Sequence, residues 1–170
     1  MPPITIVTGG SRGIGAATAR LCGAYGHAVC VVYRSEEKLA SDIAASIESD
    51  GGKAIAVQAD TGNEADILRL FETVDRDLGP VTGLVNNAGI HGPRGPVEKL
   101  PAADIDAVLR VNVAGYFLCA REAIKRMSTA HGGKGGFGVF FSLLGAYRIG
   151  RKTGVRAVIR PENLVNRGPL

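Results

Sequence analysis

A doubly wound α/β domain is predicted, with one parallel sheet covered by helices and its C-terminal half incomplete. Three observations predict it. Apolar strand-like runs alternate strictly with helical stretches. The strands are apolar throughout instead of in every second position, as when both faces are covered. A glycine-rich turn sits at the first strand-to-helix junction.

The elements follow in order. Ile4–Thr8 is a β-rich run, and the turn Gly9-Gly10-Ser11-Arg12-Gly13 leads into a helix from Ile14 to about Tyr25, with Ala17, Leu21 and Ala24 at helical spacing. Ala28–Tyr33 is a second strand. Glu36 to about Ser49 is a helix, with Leu39, Ile43 and Ile47 four apart and Asp50-Gly51-Gly52 closing it. After a third strand, Ala54–Ala59, Thr61 and Glu64 have capping-box spacing for a helix whose inward stripe is Ile67, Leu70, Phe71, Val74 and Leu78. Val81–Asn86 is a fourth strand and Asn87–Pro101 a loop. A long helix runs from about Ala102 to Met127. His131–Gly138 is a glycine-rich connection and Val139–Leu144 a fifth strand. Beyond Leu144 the pattern fades, apart from a candidate sixth strand at Val155–Ile159. The chain divides into a domain over 1–146 and an irregular basic tail over 147–170.

With 170 residues, 45% hydrophobic and 21% charged, the chain has room for one domain with a core and is not of disordered composition. Glycine is in excess, 24 residues without a collagen-like period, and so performs local backbone work. The net charge of +4 belongs to the tail: from Tyr147 onward six basic residues face one acid, Glu162. That distribution, with no aromatic-rich basic face, argues against a nucleic-acid partner. No apolar run is long enough to span a membrane, and Ile4 opens a strand without a basic leader, so a cytoplasmic protein is expected. Cys22, Cys30 and Cys119 form no disulfide or zinc framework, and His27, His91 and His131 lack ligand spacing, so no metal is expected. Gly132-Gly133-Lys134 is not a phosphate-binding P-loop, since no serine or threonine follows the lysine.

The chemistry lies at the strand ends. Thr8-Gly9-Gly10-Ser11-Arg12-Gly13-Ile14-Gly15 has the strand–turn–helix setting in which free N–H groups at a helix start face a diphosphate, as in Rossmann-like dinucleotide domains. About 20 residues on, where an NAD site places a carboxylate for the ribose 2′-hydroxyl, the chain reads Tyr33-Arg34-Ser35. A guanidinium there, with Arg12 in the turn, suits the 2′-phosphate of NADP, although Glu36 and Glu37 close behind blur the preference over NAD. Asn86-Asn87-Ala88-Gly89 ends the fourth strand, where Gly89 leaves room for a cofactor and the amides can bond backbone or ribose. Asn112, seven after Ile105 and four before Tyr116, lies on the apolar face of the long helix, so its amide needs a partner.

Together these segments resemble the short-chain dehydrogenase/reductase family, nearest its NADP-linked carbonyl reductase and sugar or polyol dehydrogenase branch. Thr8–Gly15 matches the cofactor loop, Asp60-Thr61 the position that contacts adenine, Asn86–Gly89 the Asn-Asn-Ala-Gly motif, and Val111–Gly115 the helix segment with the active-site asparagine. The resemblance runs from Ile4 to about Lys125. It implies NADP(H)-dependent hydride transfer with a small-molecule carbonyl or secondary alcohol, with Gly9, Ser11, Arg12, Gly13, Ile14 and Gly15 on the diphosphate side and Arg34 on the 2′-phosphate. It places Asp60 and Thr61 at the adenine, Asn87, Ala88 and Gly89 at the ribose, and Asn112 at a relay water. Homo-oligomers are usual in the family.

From the fifth strand onward the chain departs from that pattern. It holds no Tyr-x3-Lys pair, the family's proton donor and its lysine. Tyr147 precedes Arg151 by four and Lys152 by five, and an arginine fork does not reproduce a lysine's point charge. Ser142 is the candidate for the family serine, while by the strand's register Leu143 holds the reacting position and Phe140 stands where the family has asparagine. The family's later strands, substrate pocket and dimer-contact helices have no counterpart. A chain truncated or altered after about residue 136 is therefore expected. The alternatives are a catalytically inactive nucleotide-binding module and another Rossmann-type enzyme such as a methyltransferase, which Arg34 disfavours.

Overall fold

The computed structural model describes residues 1–93, 96–140 and 155–158. Strands and helices alternate through them: β1 (Ile4–Val7), α1 (Gly13–Ala24), β2 (Ala28–Tyr33), α2 (Glu37–Ser49), β3 (Lys53–Gln58), α3 (Glu64–Asp77), β4 (Gly83–Asn86), α4 (Ala102–Leu109), α5 (Gly115–Met127), β5 (Gly136–Phe140) and β6 (Val155–Val158). The described strands pair in parallel in the order β3-β2-β1-β4-β5-β6, so the winding direction reverses between β1 and β4. In such sheets ligands bind at the carboxyl ends of the strands beside that reversal. The doubly wound α/β architecture is the expected one.

Every residue of β1, β2 and β4 is buried, and successive side chains feed opposite cores. Ile6, Cys30, Val32 and Leu84 meet Ile67, Leu70, Phe71 and Val74 of α3 and Cys119, Ala123 and Met127 of α5. On the other face Val7, Val29, Val31 and Val85 meet Ala16 and Ala19 of α1 and Ala40, Ile43, Ala44 and Ile47 of α2. Each large side chain so buried contributes about 1.5–3 kcal/mol.

Several local expectations are corrected. Helix α1 turns Ala17, Leu21 and Ala24 to solvent and buries Gly15, Ala16 and Ala19. Small residues win because α1 lies close to its neighbours: a Cβ on Gly23 would come within 2.6 Å of Ile47 Cγ2. In α2, Ile43 and Ile47 are inward but Leu39 is 43% exposed, with Ala40 in its place. Asn63, not Thr61, caps α3: its side chain accepts the Ala65 N–H at 2.9 Å, and Glu64 and Asp66 in the first turn complement the helix dipole.

The long helix is continuous but broken in phase by a π-helical segment, Arg110–Ala114, between α4 and α5. That segment carries about one residue more than α geometry needs. Ile105 is consequently 44% exposed whereas Tyr116 is buried, and the shared face inferred from their spacing does not exist.

Strand β5 starts three residues earlier than expected, within the glycine-rich stretch. Glycine suits this place because α5 presses on it: a Cβ on Gly136 would overlap Met127 Sδ and stand 2.6 Å from Thr82 O. Within the stretch read as an irregular tail, Val155–Val158 pairs with β5 as the sixth strand. Ser142, Leu143, Tyr147, Arg151 and Lys152 lie outside the described residues.

Helices α3 and α5 are also joined by ion pairs. Arg121 reaches Glu64 at 2.6 Å and Arg126 reaches Asp75 at 2.6 Å, with the Arg126 guanidinium 5.0 Å from the centre of the Phe71 ring. The buried Glu122 carboxylate receives Arg121 at 3.1 Å, Lys125 at 2.8 Å and Arg126 at 3.2 Å. Burial opposes its charge, but those hydrogen bonds outweigh it and hold the carboxyl below the usual glutamate range.

Candidate functional site

A cleft of about 350 Å³ opens at the carboxyl ends of β1, β2, β3 and β4, beside the reversal in strand order. Gly9, Ser11, Arg12, Ile14, Arg34, Asp60, Thr61, Asn87, Ala88 and Gly89 all line it, so residues from four separate segments of the sequence reading meet in one place.

The turn after β1 is built by backbone approach. Gly9 adopts φ +63°, and a Cβ there would stand 2.9 Å from Ala88 Cα. A Cβ on Gly15 would strike the Gly9 carbonyl, with the Asn87 amide nitrogen at 2.5 Å. Gly13 starts α1 at φ +55° with open space around it. Arg12 precedes α1 in extended conformation without a side-chain cap, and the first turn holds no acid, so the N–H groups of the helix start lack both a side-chain acceptor and an acidic neighbour.

Thr8 and Asn87 weld this turn to the end of β4. The Thr8 hydroxyl donates to Val85 O at 3.2 Å and accepts the N–H groups of Asn87 and Ala88 at 2.9 and 3.0 Å. Asn87 Nδ2 donates to the carbonyls of Thr8 and Gly9 at 3.0 and 3.1 Å. Asn87 Nδ2 is therefore committed to backbone, and Asn87, Ala88 and Gly89 line the cleft together. Asn86 is wholly buried and donates to Tyr116 O at 3.1 Å.

Asn112 does not line the cleft; it stands behind the wall. Its Oδ1 accepts the Ile90 N–H at 2.8 Å and its Nδ2 donates to Ile90 O at 2.9 Å. A Cβ on Gly89 would lie 3.4 Å from Asn112 Oδ1. The π turn presents the asparagine to the loop. The amide has the partner the sequence reading demanded, and that partner is the main chain of Ile90.

At the rim, Arg34 leaves the end of β2 with its side chain 61% exposed and a guanidinium nitrogen 4.0 Å from Asp60. Asp60 Oδ1 accepts the Gly62 N–H at 2.8 Å, closing the turn after β3. Thr61 is buried, and its carbonyl lies so near Gly115 that a Cβ there would collide with it. The sequence reading missed Val32, Ala59, Ile90 and Val111 as lining residues. Val32 and Ala59 are legible as strand-end positions, whereas Val111 enters only because of the π turn. Tyr33 also lines the cleft, and burial followed by Glu37 pushes its phenol upward; burial likewise pushes Tyr116 to about 12. Among the described residues no group of three or more His, Cys, Asp or Glu side chains could hold a metal, and no helix is long and apolar enough to cross a membrane.

Residues 3–136 match the family model for short chain dehydrogenase. The chain belongs to the short-chain dehydrogenase family. An uncharacterized oxidoreductase of Escherichia coli, YgfF, is 47% identical over 133 residues, 78% of this chain and 54% of that protein. A 3-oxoacyl-[acyl-carrier-protein] reductase of Synechocystis is 37% identical over 77% of this chain and 53% of its own. A solved short chain dehydrogenase from Burkholderia cenocepacia in complex with NADP superposes with a TM-score of 0.75 at 36% identity, over 81% of this chain and 54% of that one. The chain spans about half the length of the curated relatives it matches, and the cleft is lined from within the residues that match the family model.

Proposed function

We propose that the cleft binds NADP(H), and that the protein serves hydride transfer between this cofactor and a small-molecule carbonyl or secondary alcohol. One observation carries the cofactor choice: the rim at the end of β2 offers a guanidinium, Arg34, where an NAD site needs a carboxylate. The residues present fit the group, since the start of α1 carries no side-chain cap and no acid in its first turn, and Gly9 and Gly89 line the cleft without side chains.

In this reading the amides of Gly9–Gly15, with Ser11, hold the diphosphate, and Arg12 and Arg34 hold the 2′-phosphate. Asp60 and Thr61 border the adenine, and Asn87, Ala88 and Gly89 give the ribose its wall. When bound, the nicotinamide supplies or accepts the hydride. Asn112 keeps the loop at Ile90 in place beside it, and Ser142 is the candidate to orient the carbonyl. Residues 1–146 form the dinucleotide-binding domain, at work in the cytoplasm.

A second reading, a nucleotide-binding module without turnover, is favoured by the absence of a Tyr-x3-Lys pair from the chain. Fluorescence titration with NADPH and NADH tests the site. NADPH should bind at least about tenfold more tightly, the equivalent of one charge-assisted contact, and equal binding removes the Arg34 argument. Turnover of a carbonyl panel with NADPH separates the two readings: binding without turnover selects the second.

A further inference from the structure

We infer that Gln58 is a positioning residue for cofactor choice: its side-chain amide, bonded to the carbonyl of Arg34, fixes where the guanidinium leaves the sheet. The inference rests on the NADP(H) reading of the cleft. The ladder between β2 and β3 ends where the Ala59 N–H donates to Tyr33 O at 2.9 Å. One residue further the Gln58 side chain adds a tie, with Nε2 donating to Arg34 O at 3.0 Å.

Gln58 is itself anchored. Its carbonyl accepts Arg69 Nη2 at 3.3 Å, Arg69 Nη1 donates to Asp66 Oδ1 at 2.9 Å, and Asp66 Oδ2 accepts the Asp60 N–H at 2.9 Å. The main chain of Arg34 is thereby attached to the same turn that presents Asp60 to its guanidinium.

The main-chain tie matters because, among the described residues, the guanidinium itself is held only weakly. Its ion pair with Asp60 is long and exposed, and such pairs hold little. A long side chain loses rotamer freedom when it grips a phosphate, and a moving backbone would add to that loss. Gln58 does not line the cleft, and its side-chain amide bonds the carbonyl of Arg34, which does.

The test is Kd for NADPH and for NADH, by fluorescence titration of the full chain, in Gln58→Met, Gln58→Ala and Arg34→Ala. Gln58→Met removes the donor at similar bulk. The expected result is a roughly threefold to tenfold weaker NADPH Kd with NADH unchanged, the worth of one hydrogen bond. Equal weakening of both cofactors, or no change in either, overturns the inference, because a merely structural role weakens the shared adenosine diphosphate contacts alike. If Arg34→Ala loses NADPH preference while both Gln58 variants keep it, the inference alone fails. If Arg34→Ala keeps the preference, or the wild type binds no NADPH, the cofactor reading fails and takes the inference with it.

Discussion

Asn112 holds Ile90 by both main-chain polar groups, accepting its N–H at 2.8 Å and donating to its carbonyl at 2.9 Å. A π turn in the helix thus braces the loop that forms one wall of the cleft. Asn112→Ala leaves two half-buried backbone groups without their partner and should lower stability by about 2 kcal/mol in urea unfolding. Hydrogen exchange at the Ile90 amide should accelerate by more than global destabilisation explains.

Two glycines of the first turn should respond in opposite ways. In Gly15→Ala the new methyl meets the Gly9 carbonyl and the Asn87 amide, so the turn must open and NADPH affinity should fall about tenfold or more. Gly13 has φ +55° and open surroundings, and asparagine tolerates that conformation. Gly13→Asn should bind NADPH within about twofold of the wild type, a difference smaller than half a kcal/mol. Parallel titrations of the two variants check both statements.

Glu122 makes stability depend on acid. Its folded pKa lies below its unfolded value, about 4.3. The contribution is therefore complete above that unfolded value and disappears as pH falls through the folded one. Glu122→Gln should flatten this limb of the stability curve and cost about 1–3 kcal/mol at pH 7, since Arg121, Lys125 and Arg126 lose the buried carboxylate they share. Urea melts from pH 7 to pH 3 would show it.

His27 adds a second limb at milder pH. Its Nδ1 shares a hydrogen bond of 2.8 Å with Thr5 Oγ1, its ring meets Phe137 edge-on at 5.9 Å, and burial lowers its pKa. The neutral ring is the one the fold prefers, so its contribution is present above about 6.5, the unfolded value, and is lost as pH falls through the folded pKa. Melting temperatures between pH 8 and pH 5 should fall less in His27→Gln than in the wild type.

The alternation of strands and helices was legible because β1, β2 and β4 are buried on both faces and read as unbroken apolar runs. The inward stripe of α3 was legible for the related reason that large side chains mark it. Helix α1 misled because it packs through glycine and alanine, which carry no hydropathy signal, while Leu21 and Tyr25 face water. Asn112 was recognised as needing a partner, but spacing alone could not name Ile90, since a π turn leaves no mark in the hydrophobic period. Gln58 carried no signal at all: its role is a contact between the ends of two strands 24 residues apart.

The extra residue between α4 and α5 gives the helix a length reserve. A deletion within 110–114 that restores ordinary winding would leave Tyr116, Cys119 and Ala123 seated where they are, sacrificing little beyond the brace on the cleft wall. The same deletion a turn later would swing every following side chain by about 100° and strip the sheet of its cover. Tolerance to shortening should therefore be confined to a single spot in that rod, the one that presents the asparagine.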